Sequence, residues 1–154
     1  MLATALGRHG DHAFALYQMI NPLTHAVTPE DIHRYKVEPY VVAADVYTAT
    51  GHLGRGGWTW YTGSASWMYR IGLETILGFT KHGDTLTMEP CIPSAWRQFS
   101  VDYRHGSAVF AIQVIRKGKG GEVERVTVDG IERSDLTIPL ADDGRRHEVV
   151  VQLG

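Results

Sequence analysis

Residues 64–88 read SASWMYRIGLETILGFTKHGDTLTM, and the hydrophobic period changes within them. From Ser64 to Leu77, the apolar side chains of Trp67, Ile71, Leu73 and Ile76 form an amphipathic helical pattern; from Thr85 to Met88, polar and apolar residues alternate as in a strand. Gly78 stands at the change. Working outward from it, residues before 78 read as helical and residues after it as short strands.

Towards the N-terminus, residues 2–20 (LATALGRHGDHAFALYQMI) place Leu2, Leu6, Ala13, Leu16, Tyr17 and Ile20 near one helical face. Asn21-Pro22 ends that helix, because a residue before proline avoids the helical region. Thr28-Pro29-Glu30-Asp31 starts another, with a threonine cap, a first-turn proline and acids at the positive end of the dipole. Residues 38–47 (EPYVVAADVY) are apolar enough to be buried, and Glu38-Pro39 suits a third helix start. Towards the C-terminus, residues 85–88, 100–103, 109–115, 123–128, 136–140 and 148–153 read as strands. Arg104-His105-Gly106, Lys119-Gly120-Gly121 and Asp129-Gly130 supply turns between them. The expected fold class is α+β: helices over 1–77, then an antiparallel β-sandwich of jelly-roll type over 78–154. Met1-Leu2 enters a helical pattern without a cap, so the chain is expected to continue upstream as part of a larger protein. Three or four helices also cannot bury their own apolar faces, which predicts self-association through them.

Composition narrows the function classes. The chain has 154 residues with 15 Lys+Arg against 17 Asp+Glu, and a formal charge of -2 spread evenly. No basic stripe marks a nucleic-acid partner. A single cysteine excludes an internal disulfide, and no apolar run is long enough for a membrane span. A cytoplasmic setting follows as the expectation. The eight histidines lack metal-ligand spacing: His9 and His12 form no HExxH, and Cys91 has no CxxC partner. His25 and His33 read as solvated, and Cys91 as a small buried hydrophobe. Gly54-Arg55-Gly56-Gly57 lacks the ending of a nucleotide loop, and Lys117–Gly121 reads as a hairpin tip.

Residues 58–67 (WTWYTGSASW) stand apart, with three of the four tryptophans beside a Thr62-Gly63-Ser64 step into a helix. Aromatic faces at Trp58, Trp60 and Tyr61 suit sugar C–H surfaces, and a helix start suits an anion. The alternative is structural: Trp67 as core and Ser64 as a cap.

Three blocks carry a resemblance: KVEPYVVAADVY (36–47), GRGGWTWYTGSASWMYRIGLETILGF (54–79) and PCIPSAW (90–96). Together they resemble the end of the inverting glycoside phosphorylases. That family includes cellobiose and chitobiose phosphorylases and the phosphorylase-like region of cyclic β-1,2-glucan synthases, and the GRGGWTWYTGSA form looks most like the last. The resemblance implies that residues 1–77 are the last helices of an (α/α)6 catalytic barrel and residues 78–154 its C-terminal β-domain. It implies inverting phosphorolysis, in which an acid protonates the glycosidic oxygen while inorganic phosphate attacks from the opposite face. No cofactor is then needed, and the partners are a β-linked glucan and phosphate.

On the same resemblance, Thr62 and Gly63 hold phosphate, through a hydroxyl and a backbone amide. The family's general-acid aspartate, and the arginine and histidine of its phosphate site, would all lie upstream of Met1, so this chain is expected to be inactive alone. One position departs from the disaccharide-specific members: Ala44 stands where they often carry glutamine. This favours a β-1,2-glucan-related parent. The competing reading is a non-catalytic carbohydrate-binding or scaffolding module.

Overall fold

A computed structural model describes residues 8–60 and 63–154. Leu2 and Leu6, expected on the first helix, lie outside the described residues. Helix α1 spans Gly10–Ile20 and ends at Asn21, whose side chain accepts from the Leu23 amide as the chain turns into a 3-10 segment, Pro22–His25. Helix α2, Pro29–Tyr35, opens with the expected threonine cap in reciprocal form. The Asp31 amide donates to Thr28 Oγ1 at 3.1 Å, and the Thr28 amide donates to Asp31 Oδ2 at 3.2 Å. Lys36 closes this helix in the left-handed conformation. Helix α3, Ser64–Arg70, runs on into a π-helical segment, Ile71–Ile76.

Residues 38–47 do not form a helix. Glu38 and Val41 close a turn, and Asp45–Val46 becomes strand β1, paired antiparallel with β2, Gly56–Gly57. Adjacent β-branched valines and the turn at Pro39 favour this extended path over a helical one. Trp67 also departs from expectation. It is 62% exposed, with the Arg70 guanidinium over its ring, because Met68, Leu73, Ile76 and Leu77 carry the inward face instead.

After Gly78 the chain is built of strands: β3 (Phe79–His82), β4 (Thr85–Met88), β5 (Gln98–His105), β6 (Ala108–Arg116), β7 (Val123–Val128), β8 (Ile131–Glu132), β9 (Thr137–Pro139) and β10 (Arg146–Leu153). They make a five-stranded sheet, β5-β6-β10-β7-β8, and a three-stranded sheet, β3-β4-β9. Pairing is antiparallel as expected, with one exception: β10 runs parallel to β6 over eight residues. Short strands cannot announce such a crossover, because partner choice depends on where distant strands meet. Alternation does decide what is inside. Along β6, Ala108, Phe110, Ile112 and Val114 are buried, and along β10, Val149, Val151 and Leu153 are buried. They meet Leu86 and Met88 of β4 and Ile138 of β9 in one cluster, so both sheets share a core. Each of these Val, Leu, Ile, Phe and Met side chains contributes about 1.5–3 kcal/mol on burial.

The same cluster includes Ala13 of α1 and Ile76, so the helices pack on the strands. Pro90–Trp96 is the seam. Arg116 donates to the carbonyls of Pro93 and Ile92 at 2.9 and 3.2 Å, and Asp11 accepts from the amide and hydroxyl of Ser94 at 2.8 and 3.1 Å. Phe14 meets Trp96 edge to face at 5.1 Å. No helix of the described residues is long and apolar enough to cross a membrane.

Candidate phosphate and sugar site

The β1–β2 hairpin organises the tryptophan-rich stretch. The Ala44 amide donates to the Trp58 carbonyl at 3.3 Å, and the Tyr47 amide to the Arg55 carbonyl at 2.9 Å. Both strand glycines are required by proximity. A methyl group at Gly56 would collide with Val37, and one at Gly57 with the Tyr47 ring. This close packing holds the 36–47 and 54–60 blocks side by side, with the 48–53 loop connecting them.

Trp58 and Trp60 follow, both with left-handed backbones at φ 49° and 63°, a conformation that costs bulky residues energy. They are 65% and 66% exposed, and the Tyr40 ring meets Trp60 edge to face at 5.8 Å. Tyr40 is a further candidate that sequence reasoning does not assign, although it lies within the EPY triplet. Its pairing across the hairpin has no signal in spacing.

Tyr61 and Thr62 lie outside the described residues. Gly63 adopts φ 85° immediately before α3, a left-handed position suited to glycine, and the Trp67 amide donates to its carbonyl at 2.9 Å. Below this start, Arg70 and Glu74 form a two-bond ion pair at 3.0 and 2.9 Å. Their mutual hydrogen bonding raises the arginine and lowers the glutamate from their ordinary values. Glu38 and Asp45 are both exposed.

His25, expected to be solvated, is half-buried. Its ring stacks on Tyr35 at 4.7 Å and its Nε2 lies 2.8 Å from the Met19 carbonyl. Cys91 is buried, and desolvation pushes its thiol up. Among the described residues, no group of three or more His, Cys, Asp or Glu side chains could hold a metal ion.

Residues 1–78 match the glycosyl hydrolase 94 superfamily, catalytic domain. The chain belongs to that superfamily. It is similar to the cyclic beta-(1,2)-glucan synthase NdvB of Rhizobium meliloti (strain 1021), with 47% identity over 79% of this chain and 4% of the relative. It is also similar to the solabiose phosphorylase of Paenibacillus borealis, with 30% identity over 99% of this chain and 20% of the relative. The N,N'-diacetylchitobiose phosphorylase of Vibrio furnissii shares 35% identity over 97% of this chain and 18% of its own length. The chain therefore spans a fifth or less of the length of these relatives. The phosphorylases among them take inorganic phosphate as co-substrate.

Proposed function

We propose that this chain is the C-terminal portion of an inverting glycoside phosphorylase unit, of the kind found in cyclic β-1,2-glucan synthases. Residues 1–77 are then the last helices of an (α/α)6 barrel, and residues 78–154 a β-sandwich domain docked against it. The observation that carries this reading is the 47% identity to a cyclic glucan synthase, higher than to the disaccharide phosphorylases compared with it. Ala44 supports the same branch.

In this reading Thr62 and Gly63 form one wall of a phosphate site, and Trp58, Trp60 and Tyr61 offer sugar-facing surfaces. The left-handed Gly63 supports it by freeing a compact backbone turn just ahead of α3. Phosphate attacks the anomeric carbon while an acid protonates the departing glycosidic oxygen. That acid belongs to another part of the barrel, so this portion does not turn over a glycan alone. The reaction is assigned to the cytoplasm, where inorganic phosphate is at hand.

Thr62→Ala in the full-length parent tests the proposal. It is expected to raise the phosphate KM with a smaller change in the KM for glycan. An unchanged phosphate KM would overturn the assignment of Thr62. Release of glucose 1-phosphate from a β-1,2-glucan by the purified 154-residue chain would overturn the claim of inactivity.

One observation favours the second reading, a glycan-binding module: Tyr40, Trp58 and Trp60 are each about two-thirds exposed. Under that reading the chain binds β-glucan with no dependence on phosphate.

A further inference from the structure

The most tightly enclosed ionisable side chain of the β-half plays no part in the proposed site. His147 of β10 is 6% exposed, and its ring stacks on Phe110 of β6 at 4.6 Å, opposite it in the parallel register. Each ring nitrogen faces a carboxylate. Nδ1 lies 2.8 Å from Asp129 Oδ2 in the β7–β8 turn, and Nε2 lies 3.1 Å from Asp143 Oδ1 in the 141–145 segment.

An ionised carboxylate only accepts hydrogen bonds, and a neutral imidazole has one N–H and one lone pair. A neutral ring would therefore set a lone pair against one of these oxygens. Only the doubly protonated ring donates to both, as charge-assisted bonds. The hydrogen bond that the ring donates to Asp129 raises the imidazole's affinity for its proton, burial opposes this, and Asp143 adds to the rise.

The neighbouring charged groups have further partners of their own. Asp143 also accepts from the Arg145 amide at 3.0 Å and from Arg145 Nε at 2.6 Å. Asp129 Oδ1 accepts from the Glu148 amide at 2.9 Å, while the Glu148 carboxylate turns to Arg146 at 3.2 Å. Phe110 brings no charge.

The segment 141–145 links β9 of one sheet to β10 of the other, and it has few other ties. Asp142 takes two bonds from Ser107, and the Arg145 carbonyl accepts from the Val109 amide at 2.9 Å. We propose that His147 is a proton-operated lock on this inter-sheet segment: the imidazolium holds Asp129 and Asp143 together, and loss of its proton releases the Asp143 side. Asp143 is the side that lets go because its bond is the longer and its segment belongs to neither sheet.

The experiment is a pH titration of the 154-residue chain with 15N-labelled histidine. At neutral pH both His147 ring nitrogens are expected to carry protons. As pH rises through its titration, hydrogen-exchange protection at the Val109 and Arg145 amides should fall about tenfold after correction for intrinsic base catalysis, the equivalent of one pKa unit of coupling. Protection at Val149–Val151 should hold. In His147→Gln the pH dependence at Val109 and Arg145 should vanish. Should that variant not fold, Asp143→Asn decides instead, because it must lower the titration point of His147. A singly protonated ring at neutral pH, an unmoved titration in Asp143→Asn, or the same loss of protection in His147→Gln would overturn the lock.

Discussion

The phenol ring of Tyr47 lies against the α-carbon of Gly57, leaving no room there for a methyl group. The contact joins the strand ends of the hairpin that carries Trp58. Gly57→Ala is therefore expected to destabilise the hairpin by about 1–3 kcal/mol, the usual penalty for overpacking. Made in a Tyr47→Ala background, the same substitution should cost far less, because the colliding ring is gone. Tryptophan fluorescence during urea unfolding reads both; equal costs in the two backgrounds would refute the contact.

Leu86 and Ile138 are opposite each other in the three-stranded sheet, and both are fully buried. Leu86→Ala should cost about 2–5 kcal/mol and Ile138→Val about 0.5–1.5 kcal/mol. The urea midpoint should move while its slope stays fixed. A Leu86→Ala loss below roughly 1 kcal/mol would mean that the two sheets are not sharing this core.

Acid should unfold the β-half by releasing its carboxylate ties. Asp129 is held below its ordinary value by His147, Asp135 by Thr137, and Asp142 by Ser107. Their contributions are complete above the ordinary carboxylate pKa, roughly 4, and are lost as pH falls through each lowered value. The melting temperature should thus decline below about pH 4, and Asp142→Asn should make that decline shallower. His147, raised, contributes with the opposite sign: fully below about pH 6.5, and lost as pH climbs through its folded value.

Met19, Leu23, Val27 and Ile32 are exposed along the turn from α1 to α2. An apolar run of this kind drives association. Light scattering of the isolated chain should show a mass that rises with concentration, and Leu23→Glu with Ile32→Glu should reduce it. A constant monomer mass in the unsubstituted chain would refute the association.

Much of this architecture is readable from local chemistry. The cap at Thr28, the stop at Asn21-Pro22 and the alternation of β6 and β10 are decided by neighbours in sequence, and all three take the expected form. The segment 38–47 misleads because its apolar content fits a buried helix and a strand equally well, and its partner, Gly56–Gly57, bears no side chains to signal pairing. Phe79–His82 is too short, so close to the change of period, to stand out as a strand. The π-helical segment follows Arg70 while Trp67 faces outward, a rotation that helical periodicity cannot foresee. Within the candidate site, Gly63 is legible as a glycine before a helix. The Tyr40–Trp60 pairing is not, since the two lie far apart along the chain and only the hairpin brings them together.

Strand β10 sits between β6 and β7, in the middle of the five-stranded sheet. Before it is in place, β5–β6 and β7–β8 are two separate hairpins, each with an unsatisfied edge. On the ribosome, this sheet cannot zip up until residues 146–153 have emerged, so its assembly waits for nearly the whole segment to be made. Without residues 146–153, the two hairpins would stay halves of a sheet with nothing to bridge them.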